Sequence, residues 1–191
     1  MNGLTVGFAL CGSFCTFRTV IPYLRTLAER GAQVVPILSE TAYSTDTRFG
    51  SAASFRQEIE TICGREIIHT QTQAEPIGPK KLLDLLIVAP CTGNTLGKLA
   101  NGITDSVVTL AVKAHLRNGR PVLLAVSTND ALGASAQNIG RLLTVRHIYF
   151  VPMGQDDPAN KPASVVADFA RLPDAAAAAL RGEQLRPVLC G

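Results

Sequence analysis

Apolar and polar positions alternate along the chain in a way that divides it into short buried runs separated by segments of helical period. Leu4–Leu10 reads as a buried first strand, Gln33–Leu38 as the second, Leu85–Ala89 as the central one, Pro121–Val126 as the next and His147–Val151 as the last. Glu66–His69 is a shorter strand pattern, and Pro36 inside the second strand predicts an edge or a bulge. Phe17, Val20, Ile21, Leu24, Leu27 and Ala28 share one helical face that stops at Gly31, with Ser13 or Thr16 able to cap it. Further helices are predicted over about 51–63, ending at Gly64, and over 96–100. Another opens on a cap at Asp105 and carries Val107, Val108, Ala111, Val112 and His115 on one side before Asn118-Gly119. Residues 163–170 and 173–181 read as terminal helices. Thr70 to Pro79 is polar and Pro-bearing, which predicts a loop long enough to cover a site.

Strands that alternate with helices throughout predict a doubly wound, mostly parallel α/β sheet, a flavodoxin- or Rossmann-like three-layer sandwich. One domain spans 1–191, with the helices of about 163–182 as an extension. Four polar loops, 11–16, 39–47, 91–95 and 127–130, each follow a strand and are expected to gather at one edge of the sheet, where ligands of such folds bind.

Composition narrows the classes. With 191 residues, 47% of them hydrophobic, the chain can bury a full core. The formal charge is only +3, the 18 Lys and Arg are scattered, and there are 7 Phe, 3 Tyr and no Trp, so no nucleic-acid surface is expected. No apolar stretch approaches a membrane span, and the first residues carry no signal-peptide pattern. The five cysteines are odd in number and none forms a Cys-x-x-Cys pair, which fits reduced thiols in a cytoplasm; no His/Cys spacing suits a metal.

The loops themselves indicate the ligand. Thr92 and Thr95 offer hydroxyls and Asn94 a carboxamide, and Gly93 lets backbone approach a ligand at the start of a helix, where free N–H groups favour an anion. A dinucleotide site needs Gly-x-Gly-x-x-Gly after the first strand, and residues 10–15 hold a single glycine, with Glu40 as the only acid placed for a ribose. A mononucleotide fits better, because one phosphate needs only hydroxyls such as Ser13, Ser39 and Thr95 and a helix N-terminus. The plainer role of each hydroxyl alone is a helix cap.

The segment Ala89-Pro-Cys-Thr-Gly-Asn-Thr-Leu-Gly-Lys-Leu-Ala-Asn-Gly-Ile-Thr-Asp105 resembles the Pro-Ala-Ser-Ala-Asn-Thr signature of the flavoprotein family that includes the flavin-dependent cysteine decarboxylases. Gly12-Ser13-Phe14 resembles that family's first phosphate loop and Ser39 its second. Ser127-Thr-Asn-Asp-Ala-Leu-Gly133 and His147–Asp156 are similar to the branch formed by the B subunits of bacterial dipicolinate synthases. The departures are equally specific. Where the decarboxylases carry a catalytic His this chain has Pro76, with His69 seven residues upstream. Their Pro-x-Met-Asn clamp is Val126-Ser-Thr-Asn129 here, and 152–162 lacks the cysteine of their late flap, so cysteine decarboxylation is not expected. No Arg or Lys cluster declares the prenyl-phosphate site of the related prenyltransferases.

The resemblance implies FMN held by Gly12, Ser13, Phe14, Ser39, Thr92, Gly93, Asn94, Thr95, Ser127 and Thr128, with Asn94 and Asn129 as polar contacts near the reacting ring. It further implies a dehydrogenation of a dihydrodipicolinate-type intermediate to pyridine-2,6-dicarboxylate during sporulation. The implied partners are an A subunit with a nicotinamide-binding fold, a small dicarboxylate substrate and further copies of the same chain. Two mechanisms stay open: hydride passes to bound FMN, or the A subunit carries the redox step while this chain binds and orients the substrate with a vestigial or absent flavin. The alternatives are a flavin-free structural subunit that scaffolds the A subunit, or another FMN-dependent decarboxylase- or prenyltransferase-like member of the family. Lys98, Arg18 and Lys113 are the candidate cations for substrate carboxylates. Cys11 and Cys91 lie beside the loops without a base in reach, His115 reads as a core histidine, and His69 ends a strand near the site.

Overall fold

The computed structural model describes residues 1–190. Five strands run parallel in the order β2-β1-β3-β4-β5: β1 is Thr5–Leu10, β2 Gln33–Leu38, β3 Leu85–Cys91, β4 Val122–Thr128 and β5 Ile148–Phe150. The strands of the parallel centre are apolar over nearly their whole length because helices cover both faces. α1 (Phe17–Glu29), α3 (Ala52–Cys63) and α8 (Leu172–Leu180) pack on one face, with Val6, Phe8, Leu85, Ile87 and Leu123 beneath them. α5 (Gly93–Ala100), α6 (Val107–Leu116) and α7 (Ala136–Leu143) cover the other over Ala9, Leu86, Val88 and Leu124. The predicted doubly wound, three-layer α/β sandwich is therefore the observed one.

Local chemistry sets the element ends. Phe17 meets Phe55 of α3 edge to face, centroids 5.2 Å apart, a geometry that adds about 0.5–1.5 kcal/mol to burial. Gly64 closes α3 in the left-handed region at φ 64°, where a side chain would be strained. β2 is the edge strand that Pro36 predicted. At the amino edge, Asp84 accepts the amide of Thr5 at 2.9 Å and pairs with Arg120 at 3.3 Å, tying β1, β3 and the approach to β4 together.

Several expected boundaries are corrected. Residues 66–69 form no strand, since only Ile68 bridges Ile37 before Thr70 starts a helix with a capping box to Gln73. Thr70–Pro79 is accordingly not a covering loop: α4 (Gln71–Ala74) and the 3₁₀ turn Glu75–Ile77 pack against α6. The hydroxyl-rich loop after β2 contains α2 (Glu40–Ser44). Ser106, not Asp105, caps α6, because Asp105 is drawn to Lys98 at 2.8 Å. Residues 163–170 form no helix. β7 (Val165–Ala167) runs antiparallel to β6 (Met153–Gly154) and to the end of β4, and a 3₁₀ turn, Phe169–Arg171, leads into α8. The segment near the C-terminus is fastened to this hairpin, with Met153 donating to Val188 and Cys190 to Met153, each at 2.9 Å. Among the described residues no helix is long and apolar enough to cross a membrane.

His115 is the core histidine the pattern suggested, 1% exposed and bonded through Nε2 to the Pro121 carbonyl at 3.0 Å. Burial lowers its pKa to about 4, so it stays neutral in the fold while the unfolded chain takes up a proton near the ordinary value of 6.5. Stability is then complete at neutral pH and declines as pH falls from about 6.5 toward about 4, by roughly 3 kcal/mol in all. Thermal melts across that window check this: His115→Gln should show a flatter profile than the parent, and parallel profiles would refute the assignment.

Candidate functional site

The carboxyl edge of the sheet holds a cavity of about 1170 Å³. Three of the four expected loops reach it: 12–16 after β1, 92–94 after β3 and 127–130 at the end of β4. The fourth contributes only Thr47 from its far end, beside Phe49. Ser127 and Thr128 are not loop residues. They are the last two of β4, held in register with Val166 and Val165 of β7, so their hydroxyls are fixed by a ladder.

The centre of the cavity wall is a triangle of hydroxyls. Ser13 Oγ lies 2.8 Å from Thr16 Oγ1 and 3.0 Å from Ser127 Oγ, and the last two are 3.1 Å apart. Neither Ser13 nor Thr16 caps α1, contrary to expectation, because both side chains turn across to Ser127. Three hydroxyls in mutual contact can rotate their protons toward one anionic oxygen, and the turn Phe14–Thr16 leads directly into the 13-residue α1, taking up the Thr16 and Phe17 amides on the Ser13 and Phe14 carbonyls. Phe14 lines the same wall and packs on Phe17 with centroids 5.3 Å apart.

A second cluster lies beside it. Asp130 Oδ1 accepts from the Thr128 hydroxyl and from Ser135 Oγ at 2.9 Å. Those bonds, Thr128 first, hold the Asp130 carboxyl below its usual range and keep it ionised. Gly93 begins α5 against this group: a Cβ there would stand 2.7 Å from Thr128 Oγ1, 2.8 Å from Asp130 Oδ1 and 2.9 Å from Ser135 Oγ. Its missing side chain makes room for Asp130 and its partners, while Gly93 itself also lines the cavity. Asn94 and Asn129 both line the cavity and are exposed, and neither side chain is bonded within the described residues, so both carboxamides are free for a ligand.

Two predicted cofactor hydroxyls are committed elsewhere. Ser39 Oγ accepts the Ala42 amide as the cap of α2 and does not line the cavity. Thr95, 7% exposed, donates to Cys11 Sγ at 3.2 Å and faces the core. Thr92 lines the cavity while capping α5. Cys11 and Cys91 are buried. Burial pushes the Cys11 thiol up to about 11 and the Cys91 thiol well above its ordinary value, so neither is a nucleophile. His69 stacks on Tyr43 at 3.8 Å, away from the cavity lining.

The cations are not those expected either. Lys98 pairs with Asp105, Arg18 lies 5.4 Å over the Phe55 ring, and Lys113 borders a small apolar groove between α6 and α7. The cation that does line the cavity is Lys161, from the loop joining β6 and β7, paired with Asp156 at 3.0 Å. The Asp-Asp-Pro-x-Asn-Lys stretch is a turn signal in the sequence, but strands of two and three residues leave no period to show a hairpin. Among the described residues no cluster of His, Cys, Asp and Glu could hold a metal.

Residues 1–178 match the family model described as Flavoprotein. The dipicolinate synthase B subunit of Bacillus subtilis is 47% identical over 189 residues, covering 99% of this chain and 94% of that protein. The crystal structure of the dipicolinate synthase B subunit from Bacillus halodurans C superposes with a TM-score of 0.92 at 47% identity, covering 100% of this chain and 99% of that one. The FMN-dependent cysteine decarboxylase SpaF shares the fold at a TM-score of 0.66 and 19% identity, with 94% and 97% of the two chains covered.

Proposed function

The chain belongs to the flavoprotein family, and from that membership we propose that it works as the B subunit of a dipicolinate synthase and holds FMN in the cavity at the carboxyl edge of the sheet. The observation that carries the reading is the hydroxyl triangle of Ser13, Thr16 and Ser127 at the entry to α1. It offers a cluster of neutral hydroxyl donors at the start of α1 to one phosphate, and it offers nothing comparable to a second. Phe14 gives the ring system an apolar wall, and the free carboxamides of Asn94 and Asn129 can donate to flavin carbonyls or to a substrate carboxylate.

FMN, when bound, supplies an acceptor for the hydride that a dihydropyridine dicarboxylate loses as its ring becomes aromatic. The chain's own residues bind and orient: the triangle meets the phosphate end, and Thr128, Asp130 and Ser135 hold the adjoining wall rigid. A nicotinamide-binding A subunit is the proposed partner, with further copies of this chain completing an oligomer.

The visible spectrum tests the cofactor. Protein mixed with FMN and then dialysed should keep absorption bands near roughly 370 and 450 nm, and the added dihydropyridine substrate should bleach the longer one. A colourless protein after dialysis would overturn the flavin reading and leave the scaffold role.

A further inference from the structure

We propose that Lys161 is the anchor for one carboxylate of the substrate, an inference that rests on the dicarboxylate reading above. Charge placement is the first argument. Asp130, Asp156 and Lys161 are the charged residues lining the cavity, so among the described residues Lys161 is its one cation. The hydroxyl triangle carries no charge, so Lys161 alone offers a full positive charge to an anion in this cavity.

Geometry is the second argument. The loop 155–164 that carries Lys161 is a tied structure. Gln155 Nε2 donates to the Pro162 carbonyl at 2.8 Å, and Lys161 N to the Asp157 carbonyl at 2.7 Å. Leu132 N donates to the Ala163 carbonyl at 3.0 Å, which docks the loop on the segment that follows Asn129 and Asp130. Asp156 then holds the side chain itself: Oδ2 accepts from Lys161 Nζ at 3.0 Å while Oδ1 accepts from Ser164 Oγ at 2.7 Å. An ammonium has three N–H donors, and one is used. Its side chain is 53% exposed and lines the cavity, and the other two donors have no partner among the described residues. A lysine already confined by a carboxylate loses less freedom when it meets a second one. The Asp156 bond also raises the Lys161 pKa above its ordinary value.

Calorimetric titration with pyridine-2,6-dicarboxylate, with and without FMN, tests this on the parent, Lys161→Met and Lys161→Arg. Loss of one charge-assisted hydrogen-bonding group should weaken the dicarboxylate at least about tenfold in Lys161→Met, while Lys161→Arg stays within about threefold of the parent. FMN affinity should be unchanged in both variants, a pattern that a merely structural lysine would not give. Equal dicarboxylate affinity in the parent and Lys161→Met overturns the anchor and leaves the flavin reading standing. Absence of dicarboxylate binding by the parent overturns the anchor as well. Lysine-dependent binding in a protein that retains no FMN keeps the anchor and removes the flavin.

Discussion

Replacing Ser13 with aspartate should lower the affinity for FMN at least about a hundredfold. Two like charges about 4 Å apart repel by about 4 kcal/mol at an effective dielectric constant near 20, roughly a thousandfold before salt screens part of it. The fold should suffer little, because a carboxylate can accept from the Thr16 and Ser127 hydroxyls that Ser13 now contacts, and an acid just ahead of α1 suits the helix dipole. The two effects have opposite signs, so the readouts separate: flavin fluorescence titrations should show the loss while thermal melts stay within a few degrees. Ser13→Ala, which removes one donor without adding charge, should cost about tenfold. An aspartate variant that binds FMN as the parent does would place the phosphate elsewhere.

Gly93→Ala should lower the melting temperature by roughly 6–12 °C. A methyl group at that position meets three oxygens at 2.7–2.9 Å, and all three belong to the Asp130 cluster, so none can yield without breaking a bond to a charge. Overpacking costs about 1–3 kcal/mol and a weakened charged hydrogen bond about 1.5–3 kcal/mol, against at most about 1 kcal/mol gained from alanine's helix preference. The net loss of about 3 kcal/mol gives that shift for a chain of this size. Scanning calorimetry decides it, and a variant as stable as the parent would mean that the cluster is mobile rather than a rigid wall.

The layered fold was legible because burial writes itself into sequence. Leu85–Ala89 and Pro121–Val126 are apolar on both faces, as strands covered by helices on both sides must be, and the α1 face repeats at helical spacing. The hydroxyls were legible only as candidates. A serine or threonine before a helix looks the same whether it caps that helix or reaches across the sheet. Ser39 and Thr92 do cap, Ser13 and Thr16 do not, and the difference arises because Ser127 stands across from the latter pair. Ser127 and Thr128 read as loop because they are polar, yet β7 pairs them, and that strand is too short to leave a pattern. Lys161 was hidden for the same reason: its position depends on a hairpin made by backbone bonds, with only turn residues to announce it.

The hydroxyl triangle joins residues 111 and 114 positions apart along the chain. It cannot exist until β1, β3 and β4 lie side by side, and Lys161 reaches the same cavity only after the hairpin beyond β5 has closed. Pairings of such long sequence separation are the slow part of folding. The growing chain emerging from a ribosome therefore has no complete ligand pocket until its last strands have paired. A ligand taken up there would bind the finished sheet and not its precursors, so it would hold the completed molecule together by mass action and give no help to the chain on the way.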